Sequence, residues 1–512
     1  MRRRTLGLLS SLPLIVGLAT AEDAVVEIQT DRALAKVDER YLSVAIDLAN
    51  VVGGKWWDES ASSEQGRGSG EAQPLDLTQP RLLTLAKALS PAVLRIGGSE
   101  ADFLYYDIAN RGGAAPEGYE SVLSGERWNE LYAFSQAVDM DLMFTLNAGP
   151  ADRDDRKRWQ PDHARSLMEH AQKQGHRVLA WELGNEVNGF AFFHGLRSRV
   201  SGRRYAKDYA RAQGLARELY PQARVAGPAS AYWPILGEPL AFLFGVMKPF
   251  LERTERADVI TWHYYPTQSD RCPIRVRKAT LERMLAPKTL NEIRRWAKAL
   301  NTRRDEHQPD AEIWLGESGP AQCGGQRGLS DTFASGFWFL DQLGSVARFG
   351  HTVHVRQSLI GADYGLLTED EARPNPDFYN ALLWKRLMGT QVLDAQVEGS
   401  ESLRAYAHST PGRRGGVTVL LLNVSQEDEL SVELEGDLGG TAEHYAVSAR
   451  EALSKELLLN GAPLRLGARD ALPALTPVSQ PREGKLTLPP LTYRFVVFPD
   501  AGFGKGLAER LR

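Results

Sequence analysis

The chain has 512 residues, enough for a large barrel and a smaller second domain, and its apolar and charged content is that of a soluble globular protein. A net charge of −4 gives no global positive field for nucleic acid or another polyanion, so affinity for an acidic polymer would have to come from local clusters. Two cysteines, Cys272 and Cys323, are too few for a disulfide scaffold or a zinc site, and there is no Walker loop, no GxGxxG after a strand, no HExxH and no GxSxG elbow.

Residues 1–21 read as a signal peptide: a basic start at Arg2, Arg3 and Arg4, an apolar run from Leu6 to Leu18, and a small-x-small site at Ala19-Thr20-Ala21. The run is short for a membrane span, and an uncleaved anchor is the alternative. Export to a secreted or periplasmic location follows, with no membrane attachment after cleavage. Residues 22–38 hold a strand, Ala24–Val37, assigned to a later β domain. From 39 to 390 strands and helices alternate. The strands are Tyr41–Leu48, Ala92–Gly98, Asp141–Ala148, Val178–Glu186, Arg224–Ala229, Val259–Pro266, Ala311–Ser318 and Thr352–Leu359. The helices are Arg81–Leu89, Trp128–Val138, Asp162–Gln174, Arg204–Tyr220, Pro239–Arg253, Thr289–Leu300, Asp331–Ala347 and Phe378–Met388, the seventh with Ser330-Asp331 as its cap. Eight such units predict a closed (β/α)8 TIM barrel, with a doubly wound open sheet as the alternative. The loop Gly53 to Gln79 begins at Trp56-Trp57, which could stack on a sugar or plug the barrel mouth. The Gly-rich loop Asn110 to Gly125 is expected to be mobile. From 391 to 500 short alternating runs (Ser402–His408, Val417–Val424, Leu430–Leu434, Ala442–Val447, Lys485–Leu488, Thr492–Phe498) predict an antiparallel β-sandwich, joined by the strand near Ala24–Val37. Residues 501–512 read as a tail.

Barrels of this kind carry their chemistry at the C-terminal ends of the strands. Reading those ends gives Asp47; Arg95 and Ser99; Asn147; Asn185 and Glu186; His263 and Tyr265; Glu317; Arg356 and Gln357; and Tyr364 in the last loop. A strand-end Glu can simply close a strand in a salt bridge, a lone His is often a core residue, and Arg95 has a plain reading as a buried partner of Glu182. Two glutamates, a cation and several donors on one lip are nevertheless what glycosidic-bond cleavage with retention requires: one carboxyl holding a proton, the other ionised. That chemistry needs no metal and no organic cofactor.

WELGNE, TWHYY, WLGES, LSDTFASGF and VRQ, in this order, with LSVAID, LSPAVLRIGGSEADFL and the closing LPPLTYRFVVF, resemble the heparanase-like glycoside hydrolases over nearly the whole chain past residue 21. The resemblance implies a retaining β-glucuronidase built as a barrel plus a β-sandwich. It implies that Glu186 is the acid/base and Glu317 the nucleophile, and that Asn185 meets the sugar 2-hydroxyl. Asp47 and Ser99 (Thr in the family) would bind glucuronate hydroxyls. Tyr364 and the N–H groups of Gly324 and Gly325 would hold the glucuronate carboxylate, and Gln357 would lie near the nucleophile. The expected partner is a glucuronate-containing polysaccharide such as heparan sulfate, cut internally; exo-action on small or plant-derived glucuronides and a non-catalytic glycan-binding relative are the alternatives.

The chain departs from the family's pattern in the loops. Only Asp107 to Arg127 stands where a long excised linker would be, which implies a single chain. The loop after the fifth strand, SAYWPILGEP, has no Lys or Arg. Basic residues follow the sixth strand instead, and Arg271, Arg275, Arg277 and Lys278 are expected to reach the cleft and grip sulfates. The last loop, Ile360 to Asp377, has no insertion to wall off the nonreducing side. Cys272 and Cys323 leave the barrel in consecutive loops, after strands six and seven. An exported protein can bridge them, which would pin the loop carrying Gly324 and Gly325; two unpaired thiols are the alternative.

Overall fold

The computed structural model describes residues 22–57, 68, 70–482 and 484–504. The expected signal peptide, much of the loop after the first barrel strand and residues 505–512 lie outside them. Eight parallel strands close into a barrel: Leu42–Asp47, Ala92–Gly97, Met140–Leu146, Ala180–Leu183, Arg224–Tyr232, Val259–Tyr264, Glu312–Ser318 and Val353–Arg356. Their alternation is two-sided. Leu42, Val44, Ile46, Leu94, Ile96, Leu142 and Phe144 face the helices, whereas Ala45, Val93, Met143, Ala180, Ala226, Val259, Trp314 and Val353 fill the barrel floor. The inward positions one step higher are Arg95, Thr145 and Glu182, so an apolar floor carries a charged layer beneath the mouth.

Two ladder irregularities shape that mouth. Pairing of the sixth and seventh strands shifts between Trp262↔Leu315 and His263↔Glu317, leaving Gly316 as the extra residue. A bulge of this kind re-aims the side chains that follow it. A second shift, between Gly227 and Ser230, lets the fifth strand continue to Tyr232 rather than stop at Ala229.

Several helices differ from expectation for local reasons. The stretch expected as one helix, Pro239–Arg253, is a 3-10 turn Glu238–Leu240, a short helix Ala241–Phe244 and a helix Met247–Arg253. Buried Glu238 accepts the N–H groups of Val246 and Met247, each at 2.8 Å, and so caps the last piece after the break at Gly245. The helix expected to start near Asp331 begins at Phe333. Asp331 is instead paired with Lys455 at 2.5 Å, and the N–H groups of Phe333 and Ala334 donate to the carbonyls of Ser454 and Ala452. Its N-terminus is thus capped by the second domain. The Gly-rich loop after the second strand is closed at its base by a parallel ladder between Leu104–Asp107 and Ser121–Ser124.

The second domain is one mixed, curled sheet of 12 strands. Strand Glu22–Gln29 joins it between Gln391–Glu398, antiparallel, and Leu430–Glu435, parallel; the other ladders of the sheet are antiparallel. Gln391–Glu398 carries too little alternation to be read from sequence. The sheet packs on helix Phe333–Ala347, which is buried along its whole length. Tyr406 donates to Asp341 at 2.6 Å, and Tyr493 donates to Asn380 at 2.6 Å, tying sheet to barrel. Among the described residues no helix is long and apolar enough to cross a membrane.

Gly344 is where this packing is tightest, because a Cβ there would lie 2.1 Å from the Tyr406 ring. Gly344→Ala is expected to destabilise by about 1–3 kcal/mol, the usual cost of overpacking, read as a lower urea midpoint. Gly214→Ala, on a helix surface with nothing within 4 Å, is the control expected to hold or raise it. Equal midpoints for the two variants would contradict this packing.

Candidate active site

The site is built upward from Arg95. Its guanidinium is fully buried and divides its donors three ways: Nε to Glu182 Oε2 at 2.9 Å, Nη1 to Glu317 Oε2 at 2.7 Å and Nη2 to Asn185 Oδ1 at 2.8 Å. Burial opposes its charge, but Glu182 and Glu317 raise its pKa above the ordinary value. Thr145 adds a bond to Glu182 Oε2 at 2.8 Å. Both readings of Arg95 therefore hold at once, as the partner of Glu182 and as a cation on Glu317.

Glu317 ends the seventh strand, turned inward by the bulge. Its Oε2 takes Arg95, and its Oε1 accepts the Tyr265 hydroxyl at 2.7 Å. Gly319 leaves room for this, since a Cβ there would meet the Tyr265 ring at 2.9 Å and the Tyr364 ring at 3.3 Å. Glu186 lies opposite. It follows the short fourth strand in the left-handed region (φ 47°), a conformation rare outside glycine. Its Oε1 accepts Trp233 Nε1 at 3.0 Å and lies 3.3 Å from His263 Nδ1. Burial raises the Glu186 pKa and the Glu317 charge adds to this, against His263 and Trp233. Burial, helped by the Arg95 charge, lowers that of His263, which favours a neutral imidazole.

The remaining expected residues form one wall. Asp47 caps the helix Leu48–Val52 through Ala49 N at 3.0 Å, and burial pushes its pKa up to about 8, with Glu317 and Glu100 adding to the rise. Gly98 (φ 92°) presses against it, where a Cβ would lie 2.1 Å from Asp47 Oδ2. Ser99 opens the 3-10 turn Ser99–Phe103 and is half-buried. Tyr364 hydrogen-bonds with Gln357, and burial, with Asp47 and Glu317 nearby, holds its hydroxyl protonated well above the usual phenol range. Gly324 and Gly325 both take positive φ; Trp57 packs over Gly324, and Asp363 N donates to its carbonyl at 2.9 Å. Trp56 is buried, its Nε1 bonded to Glu369 at 3.1 Å, so of the two tryptophans it is the plug. Arg356 is buried on Asp377 at 3.1 Å and stands behind the site. Cys272 and Cys323 are joined in a disulfide, Cα to Cα 5.4 Å.

The expected cationic grip is different in the structure. Arg271 is buried, donating to Gly325 O at 3.0 Å and Asp363 at 2.5 Å, so it braces the loop of Gly324 and Gly325. Arg277 is paired with Glu292 and Pro266 O. Two of the four residues are thus engaged in protein contacts, while Arg275 and Lys278 are exposed.

Two contributors escaped sequence reasoning. Trp233, in a loop noted only for its lack of Lys and Arg, reaches Glu186 because the fifth strand runs on to Tyr232. Asp102 accepts the N–H groups of Ala148 and Asn185 at 2.8 and 2.9 Å, joining the ends of the third and fourth strands; burial raises its pKa to about 7. An acidic residue inside LSPAVLRIGGSEADFL was the signal available.

Ligand atoms of Glu186, His263 and Glu317 lie within 4.8 Å of one another, a set that by count could hold a metal ion. The Arg95 cation on Glu317 opposes a second positive charge there, and Tyr265 and Trp233 already occupy carboxylate lone pairs. The arrangement fits carboxyl chemistry better than metal coordination.

A barrel with two facing buried glutamates at its C-terminal mouth and a second β domain defines a glycoside hydrolase. The chain belongs to glycosyl hydrolase family 79, whose N-terminal domain model matches residues 23–344. Heparanase-like protein 1 of Arabidopsis thaliana is 30% identical, covering 93% of each chain. Baicalin-beta-D-glucuronidase of Scutellaria baicalensis is 28% identical, over 96% of this chain and 94% of that one. The GH51 arabinofuranosidase of Xanthomonas axonopodis pv. citri superposes with a TM-score of 0.67 at 13% identity, over 93% of this chain and 99% of that one, which is likeness of fold.

Trp233→Phe tests the acid assignment. The indole N–H favours ionised Glu186, so its loss should raise that pKa and keep the proton to higher pH. The alkaline limb of kcat/KM for glycoside hydrolysis is expected to move to higher pH; a limb that stays or moves lower contradicts the assignment.

Proposed function

We propose that the protein is a retaining β-glucuronidase working by double displacement. The observation that carries this reading is the close facing of Glu186 and Glu317, with oxygens within 4.8 Å, in opposite surroundings. That separation suits retention, about 5–5.5 Å between carboxyls, rather than inversion at about 6.5–9.5 Å. Glu317, held by Arg95 and Tyr265, attacks C1 of the glucuronate. The C1–O bond breaks as Glu186 delivers its proton to the leaving oxygen. Water then attacks C1 of the glucuronyl ester, Glu186 takes the water's proton, and the C1–Glu317 bond breaks to free glucuronic acid.

The rest of the wall supports glucuronate as the sugar. Tyr364 is a neutral donor, and the N–H groups of Gly324 and Gly325 bond to no other group among the described residues. Such donors suit a carboxylate, which supports that reading. Asp47, protonated up to about pH 8, donates to a sugar oxygen without repelling that carboxylate. Asn185 gives its Oδ1 to Arg95, which leaves its amide N–H groups for the 2-hydroxyl. Export through residues 1–21 completes the reading, and the Cys272–Cys323 bridge suits an oxidising compartment.

A second reading, internal cleavage of heparan-sulfate-like chains, is favoured by a basic surface pocket of about 450 Å³. Arg156 and Arg158, on the loop after the third strand, and Arg203, Arg204, Lys207 and Arg211, on helix Gly202–Leu219, line it together with Asp208. It would replace the grip expected of Arg271 and Arg277.

Retention is read from the first product. Proton NMR during hydrolysis of an aryl β-glucuronide is expected to show β-glucuronic acid before mutarotation. The α anomer appearing first would overturn the mechanism.

A further inference from the structure

Apart from Asn185 after the fourth strand, the proposed glucuronate contacts come from the loops of strands one, two, seven and eight. The leaving group must therefore depart on the other side, where Glu186 and the loops of strands four, five and six stand. That side is apolar. A shallow pocket of about 80 Å³, open to solvent, is lined by Phe192, Phe193, Trp233, Leu236, Phe244 and Ile274, against the Cys272–Cys323 bridge. Its polar side chains are Gln268 and Gln322, which bond to each other at 3.3 Å, and it has no charged lining group. Trp233 belongs to both places: one edge lines the pocket, and its Nε1 donates to Glu186.

The surface around the pocket has the same character. Ten large apolar side chains are exposed among the described residues. Seven belong to these loops: Phe192, Leu196, Ile235, Phe242, Leu243, Ile274 and Val276, with Leu196 at 86% and Phe242 at 76% exposure. Apolar surface gathered on one rim marks a binding site rather than ordinary scatter. Phe193, Trp233 and Leu236 also pack with Tyr265 and Tyr364, so the apolar wall runs unbroken to the reacting centre.

We propose that this pocket is the leaving-group site and takes a flat, uncharged aromatic aglycone, stacked against Trp233 and Phe193 and covered by Ile274. The inference rests on the β-glucuronidase reading and departs from the polymer one, since no cation lines the pocket to meet a sulfate. Burying an added ring on this side stabilises the transition state, because the aglycone is still bound as its oxygen takes the Glu186 proton.

The test compares phenyl and 2-naphthyl β-D-glucuronide, whose leaving groups have similar acidity and differ by one ring. In the unmodified protein kcat/KM is expected to be about tenfold higher for naphthyl. Ile274→Asp, at a half-exposed position that folding tolerates, should bring the naphthyl-to-phenyl ratio near one, and Phe192→Ser should lower it. The corresponding 1-thio-glucuronides, which resist hydrolysis, report binding alone by tryptophan fluorescence and should show the same preference in Kd. A ratio near one in the unmodified protein, or an unchanged ratio in both variants, overturns the pocket. Naphthyl-selective binding without hydrolysis of either glucuronide would uphold the pocket and overturn the β-glucuronidase reading. Faster cleavage of heparan sulfate than of naphthyl glucuronide, insensitive to Ile274→Asp, would assign the leaving-group side to the polymer.

Discussion

The site depends on one buried cation. Arg95 stands on the barrel's second strand with no access to solvent, and its three nitrogens each hold a different group. Glu182 compensates its charge, Glu317 is held on one oxygen, and Asn185 is fixed through its Oδ1. A guanidinium suits this role because its donors are fixed in a plane and it stays charged when buried. Removing it would leave the buried carboxylates of Glu182 and Glu317 without a counter-charge, a change that costs about 3–5 kcal/mol in comparable buried pairs.

Around that cation the two glutamates are given different lives by their neighbours. Glu317 is met by donors on both oxygens. Glu186 is buried and faces the charge of Glu317, which together hold its proton to higher pH than an ordinary Glu, against His263 and Trp233. The backbone makes the difference possible: the bulge at Gly316 turns one carboxyl inward, and the left-handed turn at Glu186 turns the other toward it. The loop of Gly324 and Gly325 is then held from three directions, by the disulfide, by Arg271 on Gly325 O, and by Ser269 on Cys323 O at 2.9 Å.

The barrel was legible because its signal is repeated and two-sided. Each strand carries outward residues such as Val44 and Ile46 that alternate with inward ones, and each is followed by a helical stretch. The two glutamates were legible as strand-end acids, and motif resemblance supplied their roles. What could not be read depends on contacts remote in sequence. The roles of Arg271 and Arg277 were misjudged because their partners, Asp363 and Glu292, lie 92 and 15 residues away. Trp233 was missed because a strand extended past a bulge looks like a loop. The start of the helix at Phe333 was misplaced because its cap comes from Ser454 and Ala452, in another domain. The basic pocket around Arg203 and Lys207 was overlooked because its residues are divided between a loop and a helix remote in sequence, with a modest net charge overall.

The central claim is that Glu317 forms a bond to the sugar while Glu186 moves the proton. Trapping tests it most directly. A 2-deoxy-2-fluoro-β-glucuronyl fluoride, which slows breakdown of the intermediate, is incubated with the enzyme and followed by intact mass and peptide mapping. The account predicts one added fluoroglucuronyl group, carried by Glu317. A label on Glu186 or elsewhere, or no label from an enzyme that turns over ordinary glucuronides, would contradict it.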